Sequence, residues 1–228
     1  MVTPAPRQRR PDTTGERGTV LVTGFDPFDG YSVNPALLVA TAMHRRQVAG
    51  CRIVGAELPT VFATALQQLD QLLARHRPAL VICLGLAAGR ATLRLERVAI
   101  NRDDARRPDN SGAQPTGQAV IEGAPSAYLS TLPLEAMQRA MTAAGVPTDT
   151  SQSAGSFVCN HVFFGLMHRL ATHPELQGAR GGFIHLPLLL GQGRPCMPLA
   201  QMVHGVRTGI RVALNTPHQT QATDDLHT

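Results

Sequence analysis

The 228-residue chain contains no lysine; all 21 of its basic side chains are arginine. That absence excludes a Schiff-base lysine, a pyridoxal-phosphate anchor and the lysine of a phosphate-binding P-loop. Tryptophan is also missing and aromatics make up only 4% of the residues, too few for a base-stacking platform along single-stranded nucleic acid. The four cysteines, Cys51, Cys83, Cys159 and Cys196, are far apart. With no C-x-x-C pair they give no zinc or iron–sulfur ligand pattern, so no metal is expected. No apolar run approaches the roughly 20 residues of a membrane span, and the N-terminus lacks the apolar core of a secretory signal. The expected location is the cytoplasm, with reduced thiols and no membrane contact.

What remains open is cysteine, serine, carboxylate and histidine chemistry. The net charge is +5, but residues 1–18 hold Arg7, Arg9, Arg10 and Arg17 against Asp12 and Glu16, contributing +2 of it. The other arginines are scattered or interleaved with acids, as in Arg102-Asp103-Asp104-Ala105-Arg106-Arg107. A nucleic-acid partner is not expected, because a binder needs a concentrated basic stripe.

Hydrophobic residues are 43% of the chain, enough for one α/β domain with a sizeable core. Residues 1–18 lack apolar periodicity and are expected to be a disordered arm. Residues 19–214 read as one domain, and the polar stretch 215–228 as a frayed tail. Short all-apolar strands are predicted at 19–24, 52–58, 79–85 and 182–186. Helices are predicted at 35–47, 61–76, 134–144 and 198–214, with another around Cys159. Continuously apolar strands alternating with helices indicate a mostly parallel sheet covered on both faces. In such sheets reactive groups collect beyond the carboxyl ends of the strands. The aromatic-bearing loop from Phe25 to Tyr31, the loop from Gly85 to Gly89, Cys159 and the stretch after Ile184 all fall at that edge.

The segment Ser153-Ala154-Gly155-Ser156-Phe157-Val158-Cys159-Asn160 places a cysteine after a small-residue turn, at the start of a run with helical spacing. Free backbone N–H groups and the positive end of the helix dipole favour a thiolate there. Cys159 is therefore a candidate nucleophile; the alternative is a small buried core cysteine. Among nine histidines, His185 ends the apolar strand Gly182-Phe183-Ile184-His185, where an α/β enzyme holds a base, although a core histidine would also fit. His161 is expected to project from another face of the Cys159 helix, and His44, His76, His168 and His173 to be solvated. The acid that orients the base is Glu96, a lone carboxylate in an otherwise apolar run, or Asp109 in the polar cluster that follows. An ion pair of Glu96 with Arg94 or Arg97 is the competing expectation. Arg106 is a candidate for steadying an oxyanion or the loop itself.

Four motifs occur in the order, and at roughly the spacing, of one family. They are Thr23-Gly24-Phe25-Asp26-Pro27-Phe28; Glu96-Arg97-Val98-Ala99-Ile100-Asn101 continuing through Arg106 to Asp109-Asn110; Ser153-Ala154-Gly155 through Cys159-Asn160; and Gly182-Phe183-Ile184-His185. Over about residues 19–214 the chain resembles the pyroglutamyl peptidase I (pyrrolidone-carboxylate peptidase) family. The resemblance implies an α/β/α sandwich, no cofactor, cytosolic location and homotetramers. It also implies a cysteine exopeptidase that removes N-terminal pyroglutamate (5-oxoproline) from peptides. It maps the nucleophile to Cys159, the histidine to His185 and the glutamate to Glu96. Phe25 and Phe28 match the ring-binding aromatics, with Phe157 and Val158 completing the pocket.

The chain departs from the family pattern at four places. Leu86 stands for a glutamine close to the substrate and Ala88 for a glycine, which would shift the loop if that position needs a positive φ. Arg94 replaces a serine or threonine, and His161 a small polar residue or tyrosine. Two alternatives stand beside the leading reading. One is an amidohydrolase using the same three residues on another cyclic or amide substrate; the other is a non-catalytic homologue.

Overall fold

A computed structural model describes residues 18–217. The expected disordered arm and frayed tail therefore fall outside the described residues, except at Gly18 and at 215–217. Asn215 is there the last residue of a helix rather than part of a tail.

In chain order the elements are β1 (Thr19–Phe25), α1 (Pro35–Met43), β2 (Gln47–Val48), β3 (Cys51–Leu58), α2 (Phe62–His76), β4 (Leu80–Leu86), β5 (Leu93–Glu96), β6 (Val98–Ile100) and β7 (Ala127–Leu129). Then follow α3 (Leu134–Ala143), β8 (Thr148–Ser151), α4 (Val158–Thr172), a 3-10 turn (Pro174–Leu176), β9 (Arg180–Leu186), β10 (Leu188–Leu189), β11 (Cys196–Met197) and α5 (Leu199–Asn215). Seven strands form the central sheet in the order β2-β3-β1-β4-β9-β5-β8. The middle four, β3, β1, β4 and β9, are parallel, while β5 runs antiparallel to β9.

The pleat sorts the core into two layers because successive strand residues point to opposite faces. Val20, Val22, Ile82 and Leu84 face α1, α3 and α5, packing against Val39, Met137 and Val206. Leu21, Val81, Cys83 and Phe183 face α2 and α4, against Leu69, Phe163 and Leu166. The result is the expected α/β/α sandwich. Helix α1 begins at an Asn34 N-cap whose side chain accepts the Ala36 N–H, with Pro35 fitting the first turn. It lies so close to β1 that a Cβ on Gly24 would come within 2.3 Å of the Ala36 backbone; only glycine fits there.

One local reading changes, and strands appear where none was predicted. The helix expected to reach residue 47 stops at Met43. Arg45 takes a positive φ, and the chain enters a β2–β3 hairpin through Ala49 and Gly50, whose φ values of 50° and 81° suit a tight turn. The run from Leu93 to Ile100 is two strands broken at Arg97, whose carbonyl accepts the Ser130 N–H. Strand β8, Thr-Asp-Thr-Ser, has no apolar signal because it is the sheet's edge beside β5. Among the described residues no helix is long and apolar enough to cross a membrane.

Candidate active site

The site is built where β1, β4 and β9 end and α4 begins. Cys159 is the second residue of α4. Phe157 precedes the helix in an extended conformation and offers no side-chain cap, which leaves the first-turn N–H groups for a ligand. Cys159 is half-buried. Gly85 on β4 leaves room for its sulfur: a Cβ there would sit 3.0 Å from Cys159 Sγ and 2.8 Å from the Phe183 ring.

The antiparallel register of β5 on β9 sets Glu96 opposite Phe183. His185, two residues on, shares that face of the sheet. Its Nδ1 lies 2.8 Å from Glu96 Oε1, and its ring packs against Phe183 at a centroid distance of 4.8 Å. Glu96 is only 1% exposed and His185 7%. The second carboxylate oxygen, Oε2, has no hydrogen-bond partner among the described residues. Burying a carboxylate so sparsely bonded is costly without a compensating neighbour, and His185 is the titratable group in contact with it. Burial alone disfavours a charged imidazole, but the side chains of Cys159 and Glu96 outweigh it and raise the His185 pKa to about 9. The contrast is Cys83, fully buried, whose thiol burial pushes up to about 12; it is an inert core residue.

In front of Cys159 opens a cleft of ≈ 480 Å³. All five residues expected to hold substrate, Phe25, Phe28, Leu86, Phe157 and Val158, line it together with Cys159. The Phe28 and Phe157 rings stand 5.0 Å apart at 38°. The loop with Ala88 needs no shift, since Gly89 carries the positive φ and Ala88 does not.

Asp109 is not brought to the histidine. Its Oδ2 accepts the Phe62 N–H at 2.8 Å, and its Oδ1 takes the N–H and hydroxyl of Ser111 and the Ala113 N–H. Burial pushes this carboxyl up, but those donors outweigh it and hold it below the ordinary range. Asp109 thus ties its loop to the start of α2, and the carboxylate that reaches His185 is Glu96. Nor does Glu96 form the competing ion pair: Arg94 pairs with Asp149 at 3.4 Å and Arg97 with Glu135 at 2.6 Å. Arg106 lines the cleft with an exposed side chain.

Sequence reasoning missed two anchors beside the cysteine. Asn160 is fully buried and accepts the Ile100 N–H while donating to the Ile100 and Arg102 carbonyls, which straps the 101–110 segment to α4. His161 is buried as well, its Nδ1 2.7 Å from Asp103 Oδ2, and it meets the Phe62 ring edge-on. Phe62 in turn packs edge-on against Phe157 in the cleft wall. The available signal was polar residues in an apolar helical run, which when buried must find partners. His168, expected to be solvated, is half-buried with Nδ1 2.9 Å from the Tyr128 hydroxyl, because β7 packs against α4. Burial lowers its pKa.

A cysteine in the first turn of a helix, beside a histidine that contacts a buried carboxylate, is an arrangement suited to a cysteine peptidase. The family model described as pyroglutamyl peptidase matches residues 18–216, and the chain belongs to that family. The pyrrolidone-carboxylate peptidase of Cupriavidus taiwanensis is 51% identical over 203 residues, which cover 87% of this chain and 94% of that one. The Bacillus cytotoxicus pyrrolidone-carboxylate peptidase is 46% identical over 201 residues, 86% of this chain and 93% of its own. Among solved structures, the pyroglutamyl peptidase I of Bacillus amyloliquefaciens superposes with a TM-score of 0.82 at 37% identity, covering 86% of this chain and 95% of that one. The pyrrolidone carboxyl peptidase of Thermococcus litoralis gives a TM-score of 0.82 at 35% identity, covering 86% and 93%.

The His185 ring is expected to titrate with an apparent pKa near 9 in the intact protein, a value that belongs to the coupled cluster. Cys159→Ser and Glu96→Gln each remove a side chain that raises it and should lower it, leaving burial to depress it further. NMR of the imidazole ring protons reads this directly. A pKa unmoved by either substitution contradicts the assignment of its causes.

Proposed function

We propose that the chain hydrolyses the amide bond following an N-terminal pyroglutamyl residue, with Cys159 as nucleophile, His185 as acid and base, and Glu96 as the group that orients and charges the imidazole. The observation that carries this reading is the 2.8 Å contact between His185 and the buried Glu96, with the Cys159 side chain acting on the same ring.

The pyroglutamyl ring is flat, neutral and lacks an α-amine, so no salt bridge can hold it; aromatic walls such as Phe28 and Phe157 suit it. Cys159 Sγ attacks the acyl carbon. The oxyanion is stabilised by first-turn N–H groups of α4, including that of Cys159 itself. As the C–N bond breaks, His185 donates its proton to the departing amine. Water then attacks the thioester, His185 takes its proton, and the C–S bond breaks to release pyroglutamate. The reading includes cytoplasmic residence, where the nucleophile stays a reduced thiol, and assembly into tetramers.

A broader choice of ring has one observation in its favour. The cleft's polar side chains Asn34 and Thr60 already bond to Asp26, and Asn34 also to Ala36, while Leu86 offers no amide. None of Asn34, Thr60 and Leu86 therefore supplies a free side-chain amide or hydroxyl dedicated to the lactam.

Under reducing conditions a fluorogenic pyroglutamyl amide should be cleaved and the corresponding prolyl amide left intact, with Cys159→Ala abolishing turnover. Cleavage that survives Cys159→Ala, or equal cleavage of both amides, refutes the reading. Leu86→Gln should restore one hydrogen bond to the ring and lower KM up to about tenfold. A KM that stays the same or rises would remove Leu86 from ring recognition.

A further inference from the structure

Resting on the peptidase reading, the fate of the remaining peptide fixes what the cleft mouth faces. The ring enters the buried end, where Phe25 is 3% exposed and Val158 fully buried, so everything after the scissile bond points outward. Cyclisation has removed the substrate's α-amino charge. The nearest formal charge is therefore the side chain of the second residue or, in a dipeptide, the terminal carboxylate.

Among the described residues, four charged side chains line the cleft: Asp29, Asp104, Arg106 and Arg107. Arg107 pairs with Asp29, joining the loop after β1 to the 101–110 segment. Asp104 is neutralised from outside by Arg102 at 3.0 Å. The Arg106 side chain has neither a hydrogen bond nor an ion pair among the described residues.

Its backbone, by contrast, is held on both sides. Asp103 is bound to His161, the Ala105 N–H donates to the Pro115 carbonyl at 2.8 Å, and Asp109 closes the far end on α2. Among the described residues that line the cleft, Arg106 is thus the one uncompensated cation, exposed and presented by a braced loop.

We propose that Arg106 makes this enzyme select pyroglutamyl substrates with a carboxylate just past the scissile bond, carried by an acidic second residue or by the end of a dipeptide. An exposed pair of this kind changes selectivity by about fivefold at low ionic strength, and salt screens it.

The test compares kcat/KM for three C-terminally amidated peptides with aspartate, alanine or lysine after pyroglutamate, and for pyroglutamyl-alanine as free acid and as amide. The wild-type chain and Arg106→Gln are assayed at low and high salt. The wild type is expected to favour aspartate over lysine, and acid over amide, by about fivefold at low salt. Both ratios should move towards one in Arg106→Gln and at high salt, and Arg106→Glu should invert them. A fall in only one ratio assigns the recognised carboxylate to that source.

Wild-type ratios near one overturn the proposal. So does an Arg106→Gln variant that loses rate equally on all substrates with its ratios intact, which would place the guanidinium on the oxyanion or the loop. If the alanine peptide is not cleaved at all, the peptidase reading fails and this proposal with it.

Discussion

The burial of the Glu96 carboxylate beside His185 is the constraint on which the site depends. The carboxylate is 1% exposed and one of its oxygens has no hydrogen-bond partner among the described residues, a burial that is costly unless a neighbour compensates it. Here an imidazolium 2.8 Å away compensates it. The side chains of Cys159 and Glu96 together raise the pKa of this ring against the effect of its burial. Burial of the carboxylate and the raised pKa of the histidine are therefore one electrostatic arrangement.

The sandwich supplies the geometry. An antiparallel β5 on the otherwise parallel core brings a carboxylate to the face of β9 that holds His185. Gly85 on β4 keeps the space into which the sulfur fits. Helix α4 carries Cys159 to that point on its first turn and, two positions later, uses His161 to grip Asp103. The 101–110 segment is thereby fastened to the helix that bears Cys159, and the same histidine meets Phe62, which packs behind Phe157 in the cleft wall.

Much of this was legible in the chain. Continuously apolar strands named the layered fold, and a cysteine after a small-residue turn named the helix start that bears it. His185 stood out because it ends an apolar strand, and Glu96 because it is alone among apolar neighbours. What stayed hidden depends on pairings distant in sequence. Periodicity could not separate Glu96 from Asp109, since only the β5–β9 register decides which carboxylate reaches His185. Nor could it find the edge strand β8, whose polar residues carry no burial signal. His161 and Asn160 looked like ordinary helix residues because their partners lie some 60 positions away. Ala88 looked strained only until the positive φ was found on Gly89.

Direct observation of a pyroglutamyl thioester tests the central claim most closely. The protein would be mixed with an activated pyroglutamyl ester, quenched in acid within one turnover and digested, and the acylated peptide located by mass spectrometry. The account predicts a pyroglutamyl mass increment on the peptide containing Cys159, absent from those containing Cys51, Cys83 and Cys196. Turnover with no adduct on Cys159, or with the adduct on another residue, would contradict it.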